Sequence, residues 1–76
     1  MRIFKLDYLP EGRDVFSMGF EVYSGMTLPE RGETILAVLP DKKVRLMVAS
    51  EPDLSLYKNS LVCTFMAGVL TDLLQV

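Results

Sequence analysis

Histidine and tryptophan are absent from this chain, and cysteine occurs once, as Cys63. Lack of histidine removes the commonest general base and the commonest metal ligand. A lone thiol cannot close an internal disulfide, which fits a reducing cytoplasm. Positive charge is scarce: eight Lys and Arg stand against ten Asp and Glu, for a net charge of −2. No electrostatic field therefore draws phosphate backbones to the chain. Long apolar runs are missing too. The longest uncharged stretch, Asn59 to Thr71, contains Ser60, Thr64 and Gly68 and falls short of the roughly 20 apolar residues that span a bilayer. The opening "MRIFKLDYL" alternates charged and apolar residues, unlike a signal peptide.

The same scarcity argues against chemistry. Cys63 sits in an apolar stretch with nothing basic placed to lower its pKa, as a structural thiol does. The carboxylates are dispersed, the glycines at 12, 19, 25, 32 and 68 form no phosphate-cradling loop, and no ligand cluster has metal spacing. No catalytic, cofactor-binding or metal residue is expected, and no cofactor. The densest basic cluster, Asp41-Lys42-Lys43, reads as a solvated hairpin tip. Neither a Gly-x-x-Gly clamp nor an aromatic-plus-basic strand platform accompanies it, so direct nucleic-acid binding is not expected.

What the chain has is hydrophobicity. It is 76 residues long, a single domain over 1–76, and half of it is apolar. A domain of this size buries only about 60% of the surface its unfolded chain exposes, so the excess points to a partner. In "RIFKLDYL", Phe4, Leu6 and Tyr8 alternate with Lys5 and Asp7, the period of a half-buried strand. "EGRDVFSMGFEVYSGM" reads two ways: Val15, Met18 and Val22 have helical spacing, while Phe16, Met18, Phe20 and Val22 alternate strictly. "ETILAVLP" and "VRLMVAS", joined by "PDKK", read as a hairpin. Asp53 or Ser55 is placed to cap a final helix. With the helical reading of 11–24, the expected fold class is α+β: a two-layer β-α-β-β-α domain, a three-stranded antiparallel sheet with two helices on one face.

Wound at about 100° per residue, the last segment shows an apolar arc roughly 200° wide, twice the stripe of about 100° that packing on one sheet requires. Phe65, Val69 and Leu73 recur along one edge of that arc, with Val62 in it. In the middle strand, Leu36 and Val38 are expected to face the helices. Ile35, Ala37 and Leu39 would then line the opposite face, with Met47 and Ala49 of the next strand. The expected partner-binding residues are accordingly Ile35, Ala37, Leu39, Met47, Val62, Phe65, Val69 and Leu73. Sheet face, edge strand and helix flank stay open as the contact.

"LPEGRDVFSMGFEVYSGM" followed by "PERGETILAVLPDKKVRLMVASEPDLSLYKNSL" resembles the Pcc-type small subunit of the KEOPS complex in the order and spacing of its elements. That family's last helix opens with leucine–arginine, then asparagine–serine; here Leu56-Tyr57 and Asn59-Ser60 occupy comparable places, and both family arginines are missing. A diverged paralogue is one reading of these departures. The resemblance implies a non-catalytic, cytoplasmic accessory subunit, with an archaeal source compatible. It would pair with another Pcc-type small subunit, as homodimer or heterodimer, and through it with the KEOPS catalytic subunit. The pathway implied is threonylcarbamoyladenosine modification of tRNA. The alternative is a stand-alone homodimeric interaction or regulatory protein unrelated to tRNA modification.

Overall fold

Alternation, rather than helical spacing, governs the chain. The structure, a computed structural model, describes residues 1–10 and 12–72. Six strands make it up: β1 (Arg2–Lys5), β2 (Val15–Glu21), β3 (Thr34–Val38), β4 (Lys43–Val48), β5 (Asp53–Tyr57) and β6 (Ser60–Asp72). They form one mixed sheet in the order β1-β3-β4-β6-β2, with β5 paired to β6 off that path. No helix occurs among the described residues, which overturns the expected two-layer β-α-β-β-α class.

Both expected helices are strands for reasons visible in their side chains. In β2, Phe16 and Met18 are buried and Phe20 half-buried, while Val15, Ser17, Gly19 and Glu21 are exposed. Strict period-two alternation therefore wins over the looser helical spacing: Gly19 disfavours a helix, and Val15, Phe16 and Phe20 favour a strand. The supposed last helix is interrupted at Lys58 and Asn59, with φ of 48° and 68°. Tyr57 pairs with Ser60 across them, so these two residues form the tight turn of a hairpin. Positive φ at both central positions is what a type I′ turn demands. Beyond it, Cys63, Phe65 and Ala67 point inward, and Thr64 and Met66 outward. The over-wide apolar arc came from projecting both faces of a strand onto a helical wheel.

β6 is the organising strand. β2 runs antiparallel along one edge, from Val62 to Gly68. Along the other edge, β5 pairs with Ser60–Thr64 and β4 with 67–72. A register shift between Arg45 and Leu46 lets Leu46 face Val69 and Arg45 face Thr71, leaving Leu70 as the extra residue of a bulge. β3 and β4 form the hairpin expected around "PDKK", and β1 lies parallel to β3.

The sheet curls about one core: Ile35, Ala37 and Leu39; Val44, Leu46 and Val48; Cys63, Phe65 and Ala67; and Phe16 and Met18. Phe4, Phe20 and Phe65 meet inside, with ring centroids 5.4–6.3 Å apart, a spacing that favours tilted and edge contacts. The connection from β2 to β3 is held by two turns, Met26 N to Tyr23 O and Glu33 N to Glu30 O. Gly25 and Gly32 occupy their third positions at φ of 83° and 93°, the left-handed conformation that favours glycine there. Arg2 ties this loop to β1, donating to Glu33 Oε2 at 3.0 Å and to the Thr27 carbonyl at 2.8 Å.

Candidate functional site

The residues expected to meet a partner are not gathered on one surface. Ile35 and Ala37 are 0% exposed, Phe65 3% and Leu39 8%, so these four belong to the chain's own core. The assumed geometry is reversed in β3: the Ile35–Ala37–Leu39 side is the inside of the curl, and Leu36 and Val38 lie on the other side, half-buried. Met47 and Val69 are exposed, on different rows of the sheet, and Val62 is half-buried between Ser55 and Glu21. Leu73 lies outside the described residues. The helical spacing that grouped Phe65 and Val69 with Leu73 does not apply to Phe65 and Val69, which lie in a strand.

Two other features stand out. The first is the distal hairpin. All five residues of β5 are exposed. Its pairing sets Leu54 across from Cys63 and Leu56 across from Leu61, so the four share one face. Cys63 is fully buried, whereas Leu54 is 47%, Leu61 39% and Leu56 79% exposed. The core face thus runs out along the hairpin past the point where the chain covers it. On the other flank, Val22 N donates to Leu61 O at 2.8 Å, which continues the same row.

The outer edge of β5 is also unpaired among the described residues. A strand residue points its N–H and C=O to the same side, and neighbours alternate. Tyr57 and Ser60 flank the two-residue turn as its hydrogen-bonded pair, so Asp53, Ser55 and Tyr57 bond to β6. Leu54 and Leu56 then send their backbone groups outward. The two leucines with uncovered side chains also carry the free backbone groups.

The second feature is a cleft of about 450 Å³ between β1, with the segment that follows it, and β2. Phe4, Lys5, Leu6, Asp7, Tyr8 and Pro10 line one wall, and Phe16, Ser17, Met18, Gly19 and Phe20 the other. These strands are the two ends of the curled sheet, and no backbone hydrogen bond joins them among the described residues. Consecutive residues line both walls, so the cleft runs along the strand edges rather than over one face.

The cleft lining includes Lys5, Asp7, Tyr8 and Ser17, and β5 carries Asp53, Ser55 and Tyr57. Among the described residues no three His, Cys, Asp or Glu side chains come together as metal ligands. The Cys63 thiol is buried, and burial pushes its pKa up, away from nucleophilic reactivity. The hydrogen bond from Arg2 holds the Glu33 carboxyl below its usual range, and neither residue is in the cleft lining. The arrangement offers apolar surface and unpaired backbone, which is binding chemistry. No helix among the described residues is long and apolar enough to cross a membrane.

The hairpin had a signal in the sequence: Leu54 and Leu56 alternate with Asp53, Ser55 and Tyr57, and asparagine follows at the turn. The cleft had none, because it depends on how far the sheet curls. No family model matches the chain, and no curated protein or solved structure matches it.

Proposed function

We propose that this chain is a non-catalytic interaction domain that works as a pair of copies joined along β5. One observation carries the reading: β5 is a wholly exposed edge strand whose two leucines present both side chains and backbone groups to solvent. Soluble proteins usually guard such edges with proline, lysine or a bulge. Here Pro52 and Lys58 flank β5, and neither lies within it.

A two-fold axis through Ser55 satisfies the edge. Antiparallel pairing about that point sets Leu54 against Leu56 of the partner subunit, and Leu56 against the partner's Leu54. Both are hydrogen-bonding positions, so four backbone hydrogen bonds form. The leucines line one continuous apolar face. Asp53 falls beside Lys58 of the partner subunit at each end, an attraction where like charges would repel.

The tRNA-modification role implied by the resemblance depends on helices that the described residues lack, so the fold lends it no support. The reading rests on β5 alone. The solitary Cys63 thiol suits a reducing cytoplasm. Sedimentation equilibrium over a wide dilution series tests the pairing: a mass approaching twice 8.6 kDa at high concentration is expected. The monomer mass throughout would sink the proposal.

A further inference from the structure

We infer that the cleft between β1 and β2 is a docking site for an extended peptide from another protein, which enters as a strand between the two sheet ends. Both walls carry unpaired backbone groups. Leu6 N donates to Val38 O, so even-numbered residues of β1 bond to β3 and Lys5 points its N–H and C=O into the cleft. On β2, Asp14 O accepts from Val69 N, and Val22 N donates to Leu61 O. Even-numbered residues therefore face β6, and Ser17 and Gly19 offer their backbone groups to the cleft.

The occupant's chemistry follows from the walls. Two facing strand edges call for an extended backbone, which can hydrogen-bond on both sides. The interior side is apolar and aromatic, with Phe4, Met18 and Phe20, so every second residue of the peptide is apolar. The charged side chains of the lining are Lys5 and Asp7, one of each sign, which suits a peptide with no net charge and small polar residues outward. The topology adds one constraint. Counting through one parallel and three antiparallel pairings, β1 and β2 run in opposite directions. The inserted strand is therefore antiparallel to one wall and parallel to the other.

The site is independent of β5, since it lies on the two opposite ends of the sheet order. The probe is a fluorescent, end-blocked octapeptide of alternating threonine and valine, with a control N-methylated at alternate residues. Fluorescence anisotropy gives its affinity, and amide hydrogen exchange maps it. The expected result is saturable binding, with exchange at the Lys5, Ser17 and Gly19 amides slowed at least tenfold and the methylated peptide at least tenfold weaker. Ser17→Pro removes a cleft-facing donor from an edge strand, where proline is tolerated. It should weaken binding at least tenfold while the melting temperature and the dimer mass hold. Lys5→Pro makes the same test on the other wall if Ser17→Pro does not fold. Absence of binding, protection elsewhere, or equal binding of the methylated peptide would overturn the inference. So would an apolar dye that fills the cleft and is not displaced by the peptide, since that marks a small-molecule pocket. Leu56→Lys separates the two proposals: it should weaken pairing at least tenfold and leave peptide binding intact.

Discussion

Leu56→Lys is the sharpest perturbation of the proposed pairing, because the chain itself hardly uses this side chain. Leu56 is 79% exposed, and substitutions at such positions usually change stability by less than about 0.5 kcal/mol. In the pair it packs against Leu54 of the partner subunit. Fully burying a leucine contributes about 1.5–3 kcal/mol. A strand face covered on one side realises roughly half of that, or about 0.8–1.5 kcal/mol. The two-fold axis makes every substitution count twice, so the dimer loses about 1.5–3 kcal/mol, a factor of about 10 to 150 in dissociation constant. Lysine on the edge adds the repulsive element that natural edges use against pairing. Sedimentation equilibrium reads the loss, and circular dichroism with a thermal melt shows that the monomer is intact. An unchanged dissociation constant in a folded Leu56→Lys protein would refute the β5 axis, and the dimer would have to be sought on another surface.

Three further outcomes follow from named contacts. Cys63, fully buried and with its pKa raised by burial, should react with a thiol reagent roughly a thousandfold or more slowly in the native protein than in denaturant, because only opening of the core exposes it; comparable rates would show that β6 is not in the core. Glu33 is held below its ordinary value of 4.5, first by the Arg2 hydrogen bond, so its folded pKa lies under the unfolded one. Its contribution is complete above the unfolded value and is lost as pH falls through the folded one. Glu33→Gln should therefore cost up to about 1 kcal/mol at neutral pH and flatten thermal stability below about pH 4.5; an unaltered acid profile would remove the ion pair from the account. Replacing Lys58 by asparagine together with Asn59→Gly should raise stability by about 1 kcal/mol, or roughly 4–8 °C in Tm; a lower Tm would argue against a type I′ turn.

How much of this was legible in the sequence differs from segment to segment. The β3–β4 hairpin was legible because both strands are short, β-branched and bounded by turn residues, and their partners are adjacent in the chain. β1 was legible by its alternation, although Tyr8 proved 74% exposed and lies beyond the strand. For β2, both periods were present in the same letters, and the choice between them depends on β6, a strand more than 40 residues away that supplies seven register partners. For β6 itself, the unbroken apolar run hid the alternation. Val62, Met66 and Leu70 occupy outward positions that a typical half-exposed strand fills with polar residues, so period two could not be told from a wide helical face.

The physical reason for that apolar outer row lies in the sheet. β6 is flanked on both edges for most of its length, and its outward residues pack beside those of β2, β4 and β5: Met66 lies across from Ser17, Val62 from both Ser55 and Glu21, and Gly68 from both Val15 and Met47. Among these residues Val62 is half-buried and Met66 is 38% exposed, so apolar side chains there are only partly in water. The surplus hydrophobicity that implied a partner is therefore divided. Much of it, including Ile35, Ala37 and Phe65, is spent inside one curled sheet. Of the exposed hydrophobic residues, Leu54, Leu56 and Leu61 lie together where the Cys63 row continues along the hairpin, while others, among them Ile3, Val15, Met47 and Leu70, lie elsewhere on the sheet. Those three leucines are where an inward-facing row of the sheet outruns its cover.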